Sequence, residues 1–401
     1  MTSMYPPISP TMSRKKALVV TGRTRLERLY LIGVTSTFLG VEALKILIKE
    51  AKQGKDVTIY MDAYAALAKV APNEPEAFRD DQWIDATNKS NAAEAARLEA
   101  QLKGYKNNLI KESTRMGNED LGKHYEATGQ LALAFDAYSR MRQDISIPRH
   151  VIDVCKHIIE VSIERKEYIA VLSNVQKMRG TSVGPYDDQD VKPFCHVAEG
   201  IAQMHAGQYA MAAQTFLQVP PGFAGSYYTI VTANDVAVYG GLCALATIER
   251  NDLQKLVLEN SDFRAFLELE PHIRRAIQAF VGSKYSTCLE ILESYKADYL
   301  LDIHLQKHVD ELYTRVRKMI KCGELDARID LVAKTLISTP KATRQEIQQE
   351  ALKTAKQVER EARQHLLRMN IVASDMEVRA SRESGRRGMG GGMAGELFGG
   401  V

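Results

Sequence analysis

The chain has 401 residues, of which 45% are hydrophobic and 26% are charged. Its 53 lysines and arginines nearly balance its 50 aspartates and glutamates, so the bulk charge does not indicate a nucleic-acid-binding or membrane-surface protein. The length suits two or three domains of ~150 residues each, or one elongated protein of stacked repeats.

Cysteine usage indicates a reducing compartment. The five cysteines form no CxxC pair, and several lie among apolar residues, as buried free thiols do. Disulfides are rare in the cytoplasm and nucleus, and we expect the protein there. Residues 1–16 lack the apolar core of a secretory signal, and the longest uncharged apolar run, 236–248, is too short to cross a bilayer. We therefore predict no membrane association.

The N-terminal third is predicted to be helical after a disordered start. Residues 1–16 contain prolines among serines and threonines, which favours disorder. Helical patterning begins at Thr24 and continues through 41–50 and 59–70 before two prolines interrupt it. One long helix is predicted from about Ala86 to Arg115, because its apolar residues recur every three or four positions. These helices define a predicted N-terminal domain over 17–115.

Residues 120–140 have the pattern of two antiparallel helices joined at Gly129, as in a tetratricopeptide-type hairpin. The pattern recurs at Gly207, about two hairpin units of roughly 40 residues later, and weaker copies lie at Lys166 and Ser283. Such a hairpin cannot bury its own apolar face, so the sequence predicts stacked helical repeats over 116–225. The predicted repeat-packing residues are Gly122, Tyr125, Gly129, Ala134, Tyr138, Gly200, Gly207, Ala212 and Phe216.

The C-terminal region is predicted to contain a short β-hairpin and a long helix. Apolar and polar residues alternate over 327–338 in a pattern that favours a short β-hairpin, and Pro340 ends the hairpin. A helix is predicted from Thr343 to about Arg379, with an apolar seam that needs partner helices or folds back on its own chain. The domain limits are 341–380 for this helix and 381–401 for a flexible glycine-rich tail. The predicted partner-binding residues are Ile347, Val358, Leu366, Met369 and Met376.

No motif for catalysis or cofactor binding is present in the sequence. His304 and His308 come nearest to a metal site, and their spacing would place them on one face of a helix. A zincin pair needs a glutamate directly after the first histidine, and position 305 is leucine. We expect no catalytic residue, no metal and no cofactor. The alternative is a zinc hydrolase that uses this histidine pair.

Six segments of the chain together are typical of one known family. They are TGRTRLERL (21–29), LEAQLKGYKNNLIKESTRMGNEDLGKHY (98–125), NDVAVYGGLCALATIER (234–250), FRAFLELEP (263–271), SKYSTCLEILE (283–293) and LLDIHLQKHVDELYTRVR (300–317). They resemble subunit 1 of the COP-nine signalosome, the complex that removes the ubiquitin-like modifier Nedd8 from cullins, and the resemblance covers about 20–330. It implies a mainly α fold, with a right-handed arm of TPR-like helical repeats, a PCI domain over 226–338 and a C-terminal helix that enters a shared bundle.

The resemblance implies a non-catalytic scaffold, since the metalloprotease chemistry of this complex resides in another subunit. Its implied partners are the other signalosome subunits and cullin–RING ligases, in a hetero-oligomer without nucleic acid. A paralogous scaffold subunit of the proteasome lid is the first alternative. An RNA-binding PCI protein is another, against which the near-neutral charge argues.

One departure from the family pattern lies near the end of the resemblance. After residue 315 the family continues through the helix-turn-helix of a winged domain, whereas here the start of the wing strands follows almost at once. The winged helix is therefore expected to be incomplete over about 318–338, through a splicing or gene-prediction error or through a real loss. A real loss would leave the hairpin without the helices that cover it and would expose a sheet edge.

Overall fold

A computed structural model describes most of the chain, which divides into two compact units, Met1–Thr339 and Pro340–Val401. The predicted disordered segment 1–16, the tail 381–401 and Met376 lie outside the described residues. The structure describes residues 22–109, 111–181, 185–222, 225, 227–321, 327–330, 335–338 and 343–374.

The first unit begins with four helices that share one apolar cluster. Two of them start where an aspartate side chain accepts hydrogen bonds from free N–H groups of the first turn: Asp56 caps α3 and Asp80 caps α4. The helices are α1 (Arg23–Thr35), α2 (Gly40–Gln53), α3 (Val57–Val70) and α4 (Asp81–Asn107).

The predicted single helix over 86–115 is wrong. Helix α4 ends at Asn107, and the chain turns at Leu109, whose φ of 54° lies in the left-handed region. The next helix, α5, covers Lys111–Ala127, so the domain limit placed after residue 115 falls inside a helix. The apolar spacing continues through the turn, which is why periodicity alone did not reveal it.

Six helices form the repeat region, in pairs that pack against each other and against the next pair. They are α5 and α6 (Leu131–Arg140), α7 (Pro148–Glu164) and α8 (Tyr168–Arg179), α9 (Pro185–His205) and α10 (Tyr209–Leu217). This stacking gives each hairpin the neighbours that its apolar face requires.

Four hairpins share one turn geometry. A left-handed residue ends the first helix of each: Gly129 with φ of 80°, Lys166 with 62°, Gly207 with 74° and Ser283 with 60°. The N–H of the following residue donates to the carbonyl five residues earlier over 2.8–2.9 Å, as in a Schellman motif. A left-handed backbone costs a non-glycine residue about 1–2 kcal/mol. Packing between the helices therefore imposes the same turn even where the chain carries lysine or serine.

The rest of the first unit is mainly helical and surrounds α11 (Ala233–Thr247), which is buried from Asp235 to Ala246. Thr232 and Asp235 form a capping box that starts this helix. The other elements are α12 (Arg250–Leu253), a π turn (Gln254–Leu258), α13 (Ser261–Leu269), α14 (Pro271–Val281), α15 (Tyr285–Leu300), α16 (Val309–Lys321), β1 (Ala327–Asp330) and β2 (Thr335–Ser338).

The predicted β-hairpin is present. Strands β1 and β2 pair antiparallel, with Ile329 opposite Leu336 in the register. Only residues 322–326 separate α16 from β1, which is too short a segment for a helix-turn-helix.

The second unit is described as one helix, α17 (Thr343–Ala373). Each residue from 351 to 374 is exposed. Among the described residues of the whole chain, no helix combines the length and apolar character that a membrane span requires.

Candidate functional site

The surface of α17 carries apolar side chains in contact with solvent. Val358 is 58% exposed, Leu366 61% and Met369 68%, and all three belong to the predicted seam. Ile347 lies in the same helix, with its side chain outside the described set. Large apolar side chains exposed at helical spacing are typical of a surface that packs on partner helices. We call Val358, Leu366 and Met369 the terminal seam.

The predicted repeat-packing residues meet in pairs inside the hairpins. A Cβ atom added at Gly122 would lie 2.4 Å from the ring of Tyr138, and one added at Gly200 would lie 2.7 Å from Phe216. Both aromatic rings are fully buried, as are the small residues Ala134 and Ala212. Glycine is thus required where each ring lies directly on the facing helix.

Two predicted packing positions have additional contacts. The Tyr125 hydroxyl donates to Glu99 over 2.8 Å, so this side chain is tied to α4 and remains partly exposed. A Cβ atom at Gly129 would lie 2.6 Å from the Asp56 carboxylate, whereas one at Gly207 would meet open space. Gly129 therefore joins the first repeat turn to the N-terminal helices.

A buried ion pair joins the first helix to the centre of the unit. Arg28 on α1 donates to Asp235 on α11 over 2.5 Å, and the two side chains are only 4% and 1% exposed. Asp302 lies 3.8 Å from the same guanidinium and accepts from the Tyr239 hydroxyl over 2.7 Å. The negative charges of Asp235 and Asp302 raise the pKa of Arg28 despite its burial. This ion pair thereby holds the N-terminal helix α1 on α11, although the two residues are 207 positions apart in the sequence.

His304 and His308 do not lie on a helix, which corrects the sequence-based placement. They belong to the turns of 301–308 that precede α16, and both rings contact His205 at the end of α9. His205 Nε2 lies 3.2 Å from His304 Nδ1, and His205 Nδ1 lies 3.0 Å from His308 Nε2. Because opposite nitrogens of His205 face the two partners, one ion cannot be bound by all three rings. Among the described residues no group of histidines, cysteines and carboxylates is arranged to hold a metal.

The three rings form a directional hydrogen-bond chain. The Tyr209 hydroxyl donates to Glu311 over 2.7 Å, so it accepts from His308 Nδ1 over 2.9 Å. His308 Nε2 then accepts from His205, and His205 Nε2 accepts from His304. These hydrogen bonds run in one direction, from His304 to Glu311. Each imidazole ring needs only one proton to make its hydrogen bonds in the series, so all three rings can be neutral.

Burial keeps these histidines neutral. Burial first, and then the neighbouring histidines, lower the pKa of His205 to about 3, and burial lowers the pKa of His304 to about 4. In the unfolded chain a histidine has a pKa of about 6.5. Below that pH the unfolded chain gains protons that the folded chain does not bind, so these groups destabilise the fold as pH falls from about 6.5 towards 4.

We expect His205→Phe to flatten this pH dependence. Phenylalanine keeps the stacking on Tyr168, whose ring centroid lies 4.1 Å from that of His205, but cannot titrate. The free energy of unfolding, measured between pH 7 and pH 4.5, should change by about 1 kcal/mol less per pH unit in the variant, because His205 binds a full proton on unfolding only well below pH 6.5. Burial also raises the pKa of Glu164 to about 9, which gives an opposite slope, but this contribution cancels in the comparison. Parallel curves for the two proteins would contradict the assignment.

The Arg28 pair and the contacts among the three histidines have no local signature in the sequence. The capping box at Thr232 and Asp235 has a recognisable spacing, but nothing local indicates that Arg28 reaches Asp235. Residue 205 carries no motif and meets its partners only because the turns of 301–308 pack against the end of α9. Both networks are formed by tertiary contacts between distant residues.

One family model and one solved structure resemble parts of this chain. A family model described as 26S proteasome subunit RPN7, a PCI-family domain, matches residues 80–256. Among solved structures, the crystal structure of the P58(IPK) TPR domain covers 74% of this chain and 79% of its own, at 13% identity and a TM-score of 0.21. A likeness that low supports no conclusion about this protein.

Several curated relatives carry the name COP9 signalosome complex subunit 1. The protein from Emericella nidulans is 47% identical, over 91% of this chain and 83% of the relative. The protein from Neurospora crassa is 41% identical over 92% of each, and that from Arabidopsis thaliana is 32% identical over 92% and 91%. The first alignment runs over 412 residues although this chain has 401, so that relative contains residues that this chain lacks. The chain belongs to the COP9 signalosome subunit 1 family.

Proposed function

We propose that the protein is a non-catalytic scaffold subunit of the signalosome. In this role it holds neighbouring PCI subunits and helps to position cullin–RING ligases while another subunit removes Nedd8. The observation that carries the proposal is the terminal seam. Exposure of an apolar helix face to water is unfavourable, and packing against partner helices would bury that face. Membership of the signalosome subunit 1 family supplies the complex in which such partners exist.

The domain organisation proposed for this role has three functional parts. The helices and repeats over 17–225 form the arm, 226–338 forms the PCI domain with an incomplete winged helix over about 318–338, and 341–380 forms the bundle helix. The short 322–326 connection supports the incomplete winged helix. We further propose that the protein acts in the cytoplasm and nucleus, in a hetero-oligomer without nucleic acid or membrane.

The contacts of the three histidines support a role without catalysis. Five of their six ring nitrogens face one another or the Tyr209 hydroxyl, so the three rings do not converge on one coordination position. The hydrolase hypothesis therefore loses the pair of residues on which it depended.

A scaffold subunit of the proteasome lid is the second candidate. The match of 80–256 to the RPN7 family is the observation that favours it. Affinity purification of the tagged full-length chain separates the two. Recovery of the signalosome metalloprotease subunit and cullins is expected, and recovery of proteasomal ATPases without them would contradict the proposal.

A further inference from the structure

A groove of about 320 Å³ lies on the first repeat, between α4, α5 and α6. Two buried leucines, Leu102 and Leu121, form its floor, and Leu133 at its edge is 45% exposed. The floor belongs to the packed contact between α4 and α5, so the groove is part of the folded framework. It offers a concave apolar surface of a size that accommodates one or two side chains of a partner.

The rim of this groove is strongly basic. Lys103 and Lys106 project from α4 and Arg140 from the end of α6, and all three are exposed. None of them forms an ion pair with another described residue, whereas Arg97 and Lys123 on the same helices do. Glu99 is the carboxylate that lines the groove, and it already accepts a hydrogen bond from Tyr125. The groove therefore presents three positive charges and one carboxylate around an apolar floor, so its rim is positive on balance.

We propose that this groove binds an acidic peptide segment that carries an apolar anchor residue. Aspartates or glutamates on either side of the anchor would pair with Lys103, Lys106 and Arg140, while the anchor covers Leu102 and Leu121. Charge complementarity at the rim increases the association rate and selects acidic sequences, and burial of the anchor supplies affinity. The occupant is thus a segment of a partner protein, and this binding is additional to the scaffold role of the terminal seam.

The groove does not suit single-stranded nucleic acid, the other polyanion that a basic surface attracts. Base stacking needs exposed aromatic faces, and the aromatic side chain that lines the groove is Tyr125, which is partly buried and hydrogen-bonded. The leucine floor offers contacts to an aliphatic or aromatic side chain but no hydrogen-bond donors for a base edge.

Fluorescence anisotropy with the full-length chain tests this proposal. The probe is a fluorescein-labelled peptide of alternating aspartate and glutamate with a single central leucine. The variant combines Lys103→Glu, Lys106→Glu and Arg140→Glu. Its matched control combines Lys49→Glu, Lys89→Glu and Lys255→Glu, which reverse three other exposed lysines without ion pairs among the described residues. Circular dichroism establishes that both variants are folded.

The expected result is saturable binding that the groove variant weakens about tenfold or more and the control does not. Raising the salt from about 50 to 300 mM should weaken binding to the wild type, and replacing the central leucine by serine should weaken it further. The proposal is overturned if no saturable binding is found, if the two variants weaken binding equally, or if a single-stranded RNA oligonucleotide binds this groove more tightly than the peptide.

Discussion

Replacing Arg28 by methionine is expected to lower the free energy of unfolding by about 3–5 kcal/mol. The substitution keeps most of the aliphatic volume but leaves the Asp235 carboxylate, only 1% exposed, without the cation that neutralises it. The hydrogen bond from the Thr232 N–H remains but does not neutralise the carboxylate, and a buried charge without a counter-charge is unfavourable because the interior cannot replace the solvation that water gives. Thermal or urea unfolding of the full-length protein, followed by circular dichroism, measures the change.

A matched control is present on the same helix. Arg25 forms an ion pair with Glu50 over 2.5 Å, but both side chains are about a quarter exposed. Arg25→Met should therefore cost about 0–1 kcal/mol. Adding Asp235→Asn to Arg28→Met should restore part of the lost stability, since the remaining charge is removed. Equal losses for the Arg25 and Arg28 variants would show that burial does not set the strength of this pair.

The helical repeats were predictable because their signal is local. A glycine at the left-handed turn and a small residue facing a large ring recur at fixed offsets, and the structure has both at Gly129 and Gly207. The same turn at Lys166 and Ser283 lacks the glycine, and only the surrounding pattern identified it. The break at Leu109 was missed because a leucine is rarely left-handed, so nothing in its identity marks a turn.

The functional surfaces were predictable only in part. The apolar steps of α17 follow from helical periodicity, so the terminal seam could be identified from the sequence. The histidine chain could not, because the spacing of His304 and His308 fits a helix equally well and the deciding partner, His205, is distant in the sequence. The basic groove likewise depends on how three helices meet, which no linear pattern records.

In the proposed scaffold role, the short connection before the β-hairpin makes α17 more important for assembly. If the winged helix is incomplete, we expect it to contribute less to the contact with neighbouring PCI subunits. We then expect α17 to supply most of the attachment to the complex. Disrupting the terminal seam should for this reason have a larger effect here than in a relative with the full domain.

Replacing both Leu366 and Met369 by aspartate is expected to release the subunit from the complex. The two side chains are 61% and 68% exposed in the isolated chain, so the change should not unfold α17. In the assembled bundle it would bury two carboxylates without partners, which should weaken binding by about a hundredfold or more. Native mass spectrometry with the other signalosome subunits measures the loss, while circular dichroism should show an unchanged helical content.

The control places the same two charges on the opposite face of the helix. With 3.6 residues per turn, Gln357 and Gln364 lie about half a turn away from Leu366, and both are exposed. Gln357→Asp with Gln364→Asp should leave the complex intact, because added charge alone does not prevent packing of the seam. If the seam variant still assembles, α17 does not attach the subunit through this face. If the control is released as well, the whole circumference of the helix is buried in the bundle, and the interface is wider than the terminal seam.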